Sequence, residues 1–160
     1  MCPMNAYTLA REKGEAIWMF DSLDTIKAGA DQTAGSLTAM EFLDFEGSSV
    51  PLHVNDRWDR SFYILDGNYT FVIAEDSVAA SPGAWVFVPR NTVHAWRCDS
   101  AQGRVLNITT PGGFEEFYRH VGEPVTDRTR LPVRTQPGVE ALSGAAAQYG
   151  IAIVGPPPGA

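Results

Sequence analysis

Two of the three histidines, His53 and His94, and one arginine, Arg60, stand in short β-rich stretches where alternation decides which side chains share a face. Alternation puts His53 and Asn55 on one face. It puts Arg60, Phe62 and Ile64 together on the next strand, and Trp96 and Cys98 with His94. A histidine titrates near neutral pH and can pass a proton to or from a bound substrate without help from a metal. An arginine presents a planar fork that binds a carboxylate, enolate or phenolate oxygen in bidentate fashion, and if buried it needs an anionic partner. If His53, His94 and Arg60 point inward together, they make a site for proton transfer on a compound with an anionic oxygen. Asn55, Phe62, Trp96 and Met40 are the candidate walls, aromatic ones suiting a flat or polycyclic ligand. Cys98 has no neighbour that would lower its thiol pKa and is given no catalytic role.

The elements that must position these residues are strands. From Ala16 to Thr110, short runs rich in Val, Ile, Phe, Tyr and Trp are separated by Gly, Pro, Asn and Asp. The predicted strands are Ala16–Phe20, Thr25–Ala28, Ser36–Phe45, Ser61–Leu65, Tyr69–Ala74, Ser77–Ala80, Trp85–Val88, Ala95–Cys98 and Arg104–Thr110. A hairpin is expected at Asp66-Gly67-Asn68, whose residues tolerate positive φ. After Pro111 the period changes: Phe114, Phe117, Tyr118 and Val121 follow helical spacing, with Glu115 and Glu116 read as a negative first turn and Gly122 as the stop. A second helix is expected from Pro137 to Tyr149, then a strand at Ile151–Val154. This is one all-β barrel of about residues 16–110 with a helical C-terminal extension, 111–160, and no internal repeat.

With 160 residues, 44% hydrophobic, the chain has enough for one core. Its formal charge of −7 and lack of a Lys/Arg cluster exclude a nucleic-acid partner, since such affinity comes from neutralising phosphates. The only cysteines, Cys2 and Cys98, form neither a disulfide scaffold nor a zinc spacing. Neither a leader pattern nor a run of about 18 apolar residues occurs, so the expectation is a cytoplasmic protein with no membrane partner. Nucleotide fingerprints, phosphate loops and Ser-His-Asp orderings are not seen.

Two segments carry a resemblance. Gly47-Ser48-Ser49-Val50-Pro51-Leu52-His53-Val54-Asn55, with Arg60 and Gly67 beyond it, is similar to the first cupin motif. Gly83 through His94 is similar to the second. Pro111-Gly112-Gly113-Phe114-Glu115-Glu116-Phe117-Tyr118 and Tyr149-Gly150-Ile151 add a likeness to the small single-domain cupins compared with quercetin 2,3-dioxygenase. The resemblance implies a cupin jelly roll, commonly dimeric, whose interior holds iron, manganese, nickel, copper or zinc on three histidines and a glutamate. Here His53 and His94 match two of the histidines, but Asn55 stands at the third and Arg60 at the glutamate. Asn is a poor ligand for transition metals and the guanidinium would repel one by several kcal/mol at about 4 Å.

Three readings follow. The first is a metal-free cyclase or isomerase acting on an aromatic or polyketide-like compound, with His53, His94 and Arg60 as its catalytic groups and no cofactor. The second is a metal-dependent dioxygenase in which a bulge turns Asp59 inward to join His53 and His94. The third is a non-catalytic ligand-binding or sensor protein. A homodimer is expected through the N-terminal strand near Trp18 and Phe20.

Overall fold

A computed structural model describes residues 4–132 and 138–159. Among the described residues twelve strands and two helices follow one another: β1 Glu15–Met19, β2 Ser22–Ala28, β3 Thr38–Phe45, β4 Leu52–Asn55, β5 Asp59–Asp66, β6 Tyr69–Ile73, β7 Asp76–Ala80, β8 Trp85–Val88, β9 His94–Cys98, β10 Gln102–Thr110, α1 Glu115–Val121, β11 Glu123–Val125, α2 Val139–Ala147 and β12 Ile151–Gly155. They form a seven-stranded sheet, β11-β1-β2-β3-β10-β5-β8, and a five-stranded sheet, β12-β4-β9-β6-β7. Every pair with a register is antiparallel, and each expected strand is present with no end displaced by more than three residues.

The core lies between the two sheets. Alternation on β5 sends Arg60, Phe62 and Ile64 inward, and on β10 it does the same for Val105, Asn107 and Thr109. Phe42, Met40, Phe71, Trp96 and Ile151 meet them from the other strands, so apolar area removed from water holds the layers together. Met40, expected as a cavity wall, is fully buried in this core. The opposite face of β1 and β2 buries Ala16, Trp18 and Leu23 under Val125 and Leu131. The C-terminal extension is therefore not only helical: β11 extends one sheet and β12 the other. The three-residue β11 contains Pro124, which lacks an N–H and suits a sheet edge. Pro137, the expected first residue of the second helix, lies outside the described residues.

Two expectations need correction. Asp66-Gly67-Asn68 does not close a hairpin, because β5 has β10 and β8 on its two sides and β6 has β9 and β7. The turn instead carries the chain from one sheet to the other. Gly67 sits at φ 79°, and a Cβ there would lie 2.6 Å from the Gln102 carbonyl oxygen. Gly67→Ala is accordingly expected to lower stability by about 1–3 kcal/mol in urea unfolding, and an unchanged midpoint would contradict this account of the crossover. The N-terminal strand, second, does not offer an open edge for a partner. β1 pairs with β11, and Trp18 and Phe20 are buried within the chain. The exposed large apolar side chains instead include Tyr63, Leu65, Trp85 and Phe87 on β5 and β8, at the far end of the same sheet.

Candidate functional site

His53 and His94 face each other as register partners of β4 and β9, their rings 4.2 Å apart. Each Nδ1 lies 2.9 Å from a backbone carbonyl, Pro51 for His53 and Thr92 for His94. A carbonyl only accepts, so both Nδ1 atoms carry the proton and both Nε2 lone pairs are free to accept. They converge on one atom: Nη1 of Arg60 is 3.2 Å from His53 Nε2 and 3.5 Å from His94 Nε2. Nη2 of Arg60 donates to Oδ1 of Asn107 at 3.2 Å, while Nε has no partner among the described residues.

Arg60 is 1% exposed and packs between aromatic rings, its Cζ 4.6 Å from the centroid of Phe114, 4.9 Å from Trp96 and 5.0 Å from Phe62. No carboxylate among the described residues reaches it within salt-bridge distance. Burial pushes the guanidinium below its usual range, and the Tyr118 hydroxyl and more distant Asp24 pull it back up. Burial, and after it the positive charge of Arg60, drive His53 down to about 3. His94 falls well below the ordinary histidine range, first by burial, then by His53 and Arg60. At neutral pH the two imidazoles are thus neutral acceptors holding a buried cation. Their role as proton carriers, expected from an ordinary histidine pKa, does not suit this environment.

A narrow pocket of about 20 Å³ opens beside the guanidinium, lined by Phe20, Val50, His53, Arg60, Trp96 and Tyr118 with Phe114, Phe117, Ile151 and Ile153. A second, about 10 Å³, shares Phe20, Val50, Trp96 and Tyr118 with it and reaches Asp24 and Asp44. Both carboxyls are buried. Ser22 Oγ donates to Asp24 at 2.6 Å, and Tyr69 donates to Asp44 at 2.6 Å. Burial raises Asp44 to about 6, against the pull of the Tyr69 and Ser22 hydrogen bonds. Burial and the charge of Asp44 raise Asp24 well above the ordinary carboxylate value. A cationic pole and an acidic pole thus share the walls of adjoining cavities.

Of the expected walls, Trp96 lines the cavity and Phe62 packs under the guanidinium. Asn55 is not a lining residue: its Oδ1 accepts the backbone N–H of Arg57 at 3.1 Å and of Trp58 at 2.7 Å, shaping the turn into β5. Asp59 does not turn inward. Its carboxylate takes Nε and Nη2 of Arg90 at 3.0 Å each and the Arg90 N–H at 2.9 Å, on the outer side of the strand from Arg60. The residues reasoning from motifs missed are Asp24, Asp44, Asn107 and Tyr118. For Asp24 a signal existed, because pairing the first two strands sets it opposite the buried Ile17.

These residues do not fit a metal ion. Among the described residues, the imidazole lone pairs pointing into the barrel, those of His53 and His94, are taken by Nη1 of Arg60, and Asp59 is committed to Arg90. No group of three or more His, Cys, Asp or Glu side chains stands close enough to hold an ion among the described residues.

Comparison with known proteins agrees with this architecture. Residues 43–109 match the family model described as Cupin domain. KdgF from Halomonas sp. superposes with a TM-score of 0.62 at 17% identity, over 70% of this chain and 98% of that one. The polyketide cyclase RemF from Streptomyces resistomycificus gives 0.51 at 22% identity, over 62% and 69%. Barrel, motif positions and family match together give the chain the fold of a small cupin. Within that class it resembles quercetin 2,3-dioxygenase: the Bacillus subtilis (strain 168) protein of that name is 30% identical over 118 residues, 74% of this chain and 35% of the relative. The chain spans about a third of the length of that relative.

Proposed function

We propose that this cupin binds a flat, aromatic or polyketide-like small molecule through an anionic oxygen and acts on it by proton transfer, without a tightly bound metal. One observation carries the reading: a guanidinium 1% exposed, without a carboxylate partner among the described residues and with a free Nε, forms part of an aromatic cavity wall. A buried cation in apolar surroundings is costly until an anion meets it. At about 20 Å³ the pocket has room for about one water, so a ligand of this kind enters only as the side chains around it move apart.

In this mechanism Arg60 holds the oxygen and stabilises negative charge that grows on it. His53 and His94 position the guanidinium rather than titrate. Proton donation falls to Asp24, whose hold on its proton burial strengthens, with Tyr118 bordering both cavities. The likeness in fold to a protein named a polyketide cyclase and in sequence to one named quercetin 2,3-dioxygenase supports an aromatic ligand. A cytoplasmic setting belongs to the same proposal. No helix among the described residues is long and apolar enough to cross a membrane.

Quercetin, followed by quenching of tryptophan fluorescence, is a suitable probe. Saturable binding to the wild type is expected, weakened about 10- to 100-fold in Arg60→Met, the loss of one charge-assisted contact. Equal affinity in the two proteins would refute the anchoring role. Binding with no product over days would leave the ligand-carrying form of the reading and remove the enzymatic one.

A further inference from the structure

We infer that the Arg60 guanidinium is the resident cation of this barrel, standing where a metal ion would otherwise be held, and that this one side chain keeps the pair of imidazoles from binding metal. Four observations converge. Both histidines are fixed with Nδ1–H on a backbone carbonyl, the outer contact that orients metal-bound imidazoles and leaves Nε2 to coordinate. Both Nε2 atoms aim at a single nitrogen, within 0.3 Å of the same distance from it, 3.2 and 3.5 Å. His53 and His94 are buried register partners, so their lone pairs are aimed by backbone rather than by flexible loops. Asn107, finally, offers its amide oxygen to the cation from β10.

The physical logic is one of exclusion. Nη1 fills the space between the lone pairs, and a divalent ion brought beside the fixed positive charge would meet repulsion on the order of several kcal/mol. The anion-binding centre should therefore be indifferent to chelators and to the supply of metal. Position 60 also sets the alternative. A glutamate there brings its carboxylate oxygens to the level of the arginine Nε, next to the point where both imidazoles aim. Two imidazoles and one carboxylate is a donor set that iron, cobalt and zinc accept.

The test uses Co(II) alone, with no organic ligand, so its failure and that of the small-molecule reading are separately visible. Wild type, Arg60→Glu and the double variant Arg60→Glu/His94→Ala are incubated with Co(II), desalted, and read by elemental analysis and visible d–d absorption. Circular dichroism reports the fold. About one Co(II) per chain is expected in Arg60→Glu, with background in the wild type and in the double variant. Stoichiometric Co(II) in the wild type would overturn the inference. So would a folded Arg60→Glu that binds none. If Arg60→Glu does not fold, Arg60→Gln carries the same decision: it removes the cation while leaving both imidazoles, and Co(II) retention above wild type is again expected, its absence counting against the inference.

Discussion

Glu115→Ala is expected to lower stability by about 3–5 kcal/mol and the melting temperature by about 10 °C or more. Spacing alone reads Glu115 as one of two acids at the start of a helix, where the effect would be a few tenths of a kcal/mol to about one. The structure buries it to 2% exposure and makes it a clamp. Oε1 accepts the Ala30 N–H at 2.7 Å; Oε2 accepts the Gly113 N–H at 3.1 Å and the Thr38 hydroxyl. One carboxylate thus ties the loop before β3, β3 itself and the turn before α1. Truncation leaves these donors unpaired where water has little access, and each such loss costs about 1–3 kcal/mol. Burial pushes the Glu115 pKa up, but the Thr38 hydroxyl and the N–H groups of Ala30, Glu115 and Gly113 outweigh it and hold it below the ordinary value. The clamp is then at full strength above about pH 4.5 and weakens as acid protonates it. Because α1 supplies Tyr118 and Phe117 to the cavity and is preceded by Phe114, quercetin binding should weaken along with stability. A melting temperature within about 2 °C of wild type would show that Glu115 is an ordinary first-turn acid.

Comparison of Glu115 with Arg60 shows what could be read in advance. Arg60, His53 and His94 were legible because alternation along strands is a local rule with period two, and the motifs gave the register. That an arginine stands where the family resemblance implies a ligand was also visible, and with it the loss of the usual donor set. The partners that set the chemistry were not visible. Asn107 reaches Arg60 across 47 residues, and Glu115 reaches Thr38 across 77. Such contacts depend on how two sheets and a returning helix pack, which no short-range period encodes. The turn at Gly67 makes the same point in the backbone. Its residue types correctly marked a turn, but the choice between a hairpin and a crossover lay in which strands had already filled the edges of β5 and β6.

The two poles of the interior lead to the other large effect, a pair of opposed titrations. His53 falls from 6.5 to about 3 in the fold, so its contribution is fully present above about pH 6.5 and is lost as pH falls through 3, on the order of 5 kcal/mol in all. Asp44 rises from 3.8 to about 6, so its contribution is fully present below about pH 3.8 and is lost as pH rises through 6, on the order of 3 kcal/mol. Between about pH 4 and pH 6 the two slopes have opposite sign and offset one another. His94 and Asp24 shift in the same senses and follow the same opposition. Asp44→Asn removes one side of it. Asn still accepts the Tyr69 hydroxyl through Oδ1, so the packing is kept while the titration is gone. Relative to wild type, the variant should gain on the order of 3 kcal/mol between about pH 4 and pH 6, read by urea unfolding across that range. Parallel pH profiles for the two proteins would mean that Asp44 is charged in the fold as in the open chain. The expected divergence would establish that burial holds the proton on Asp44 up to about pH 6, at the acidic pole of an interior whose other pole is Arg60.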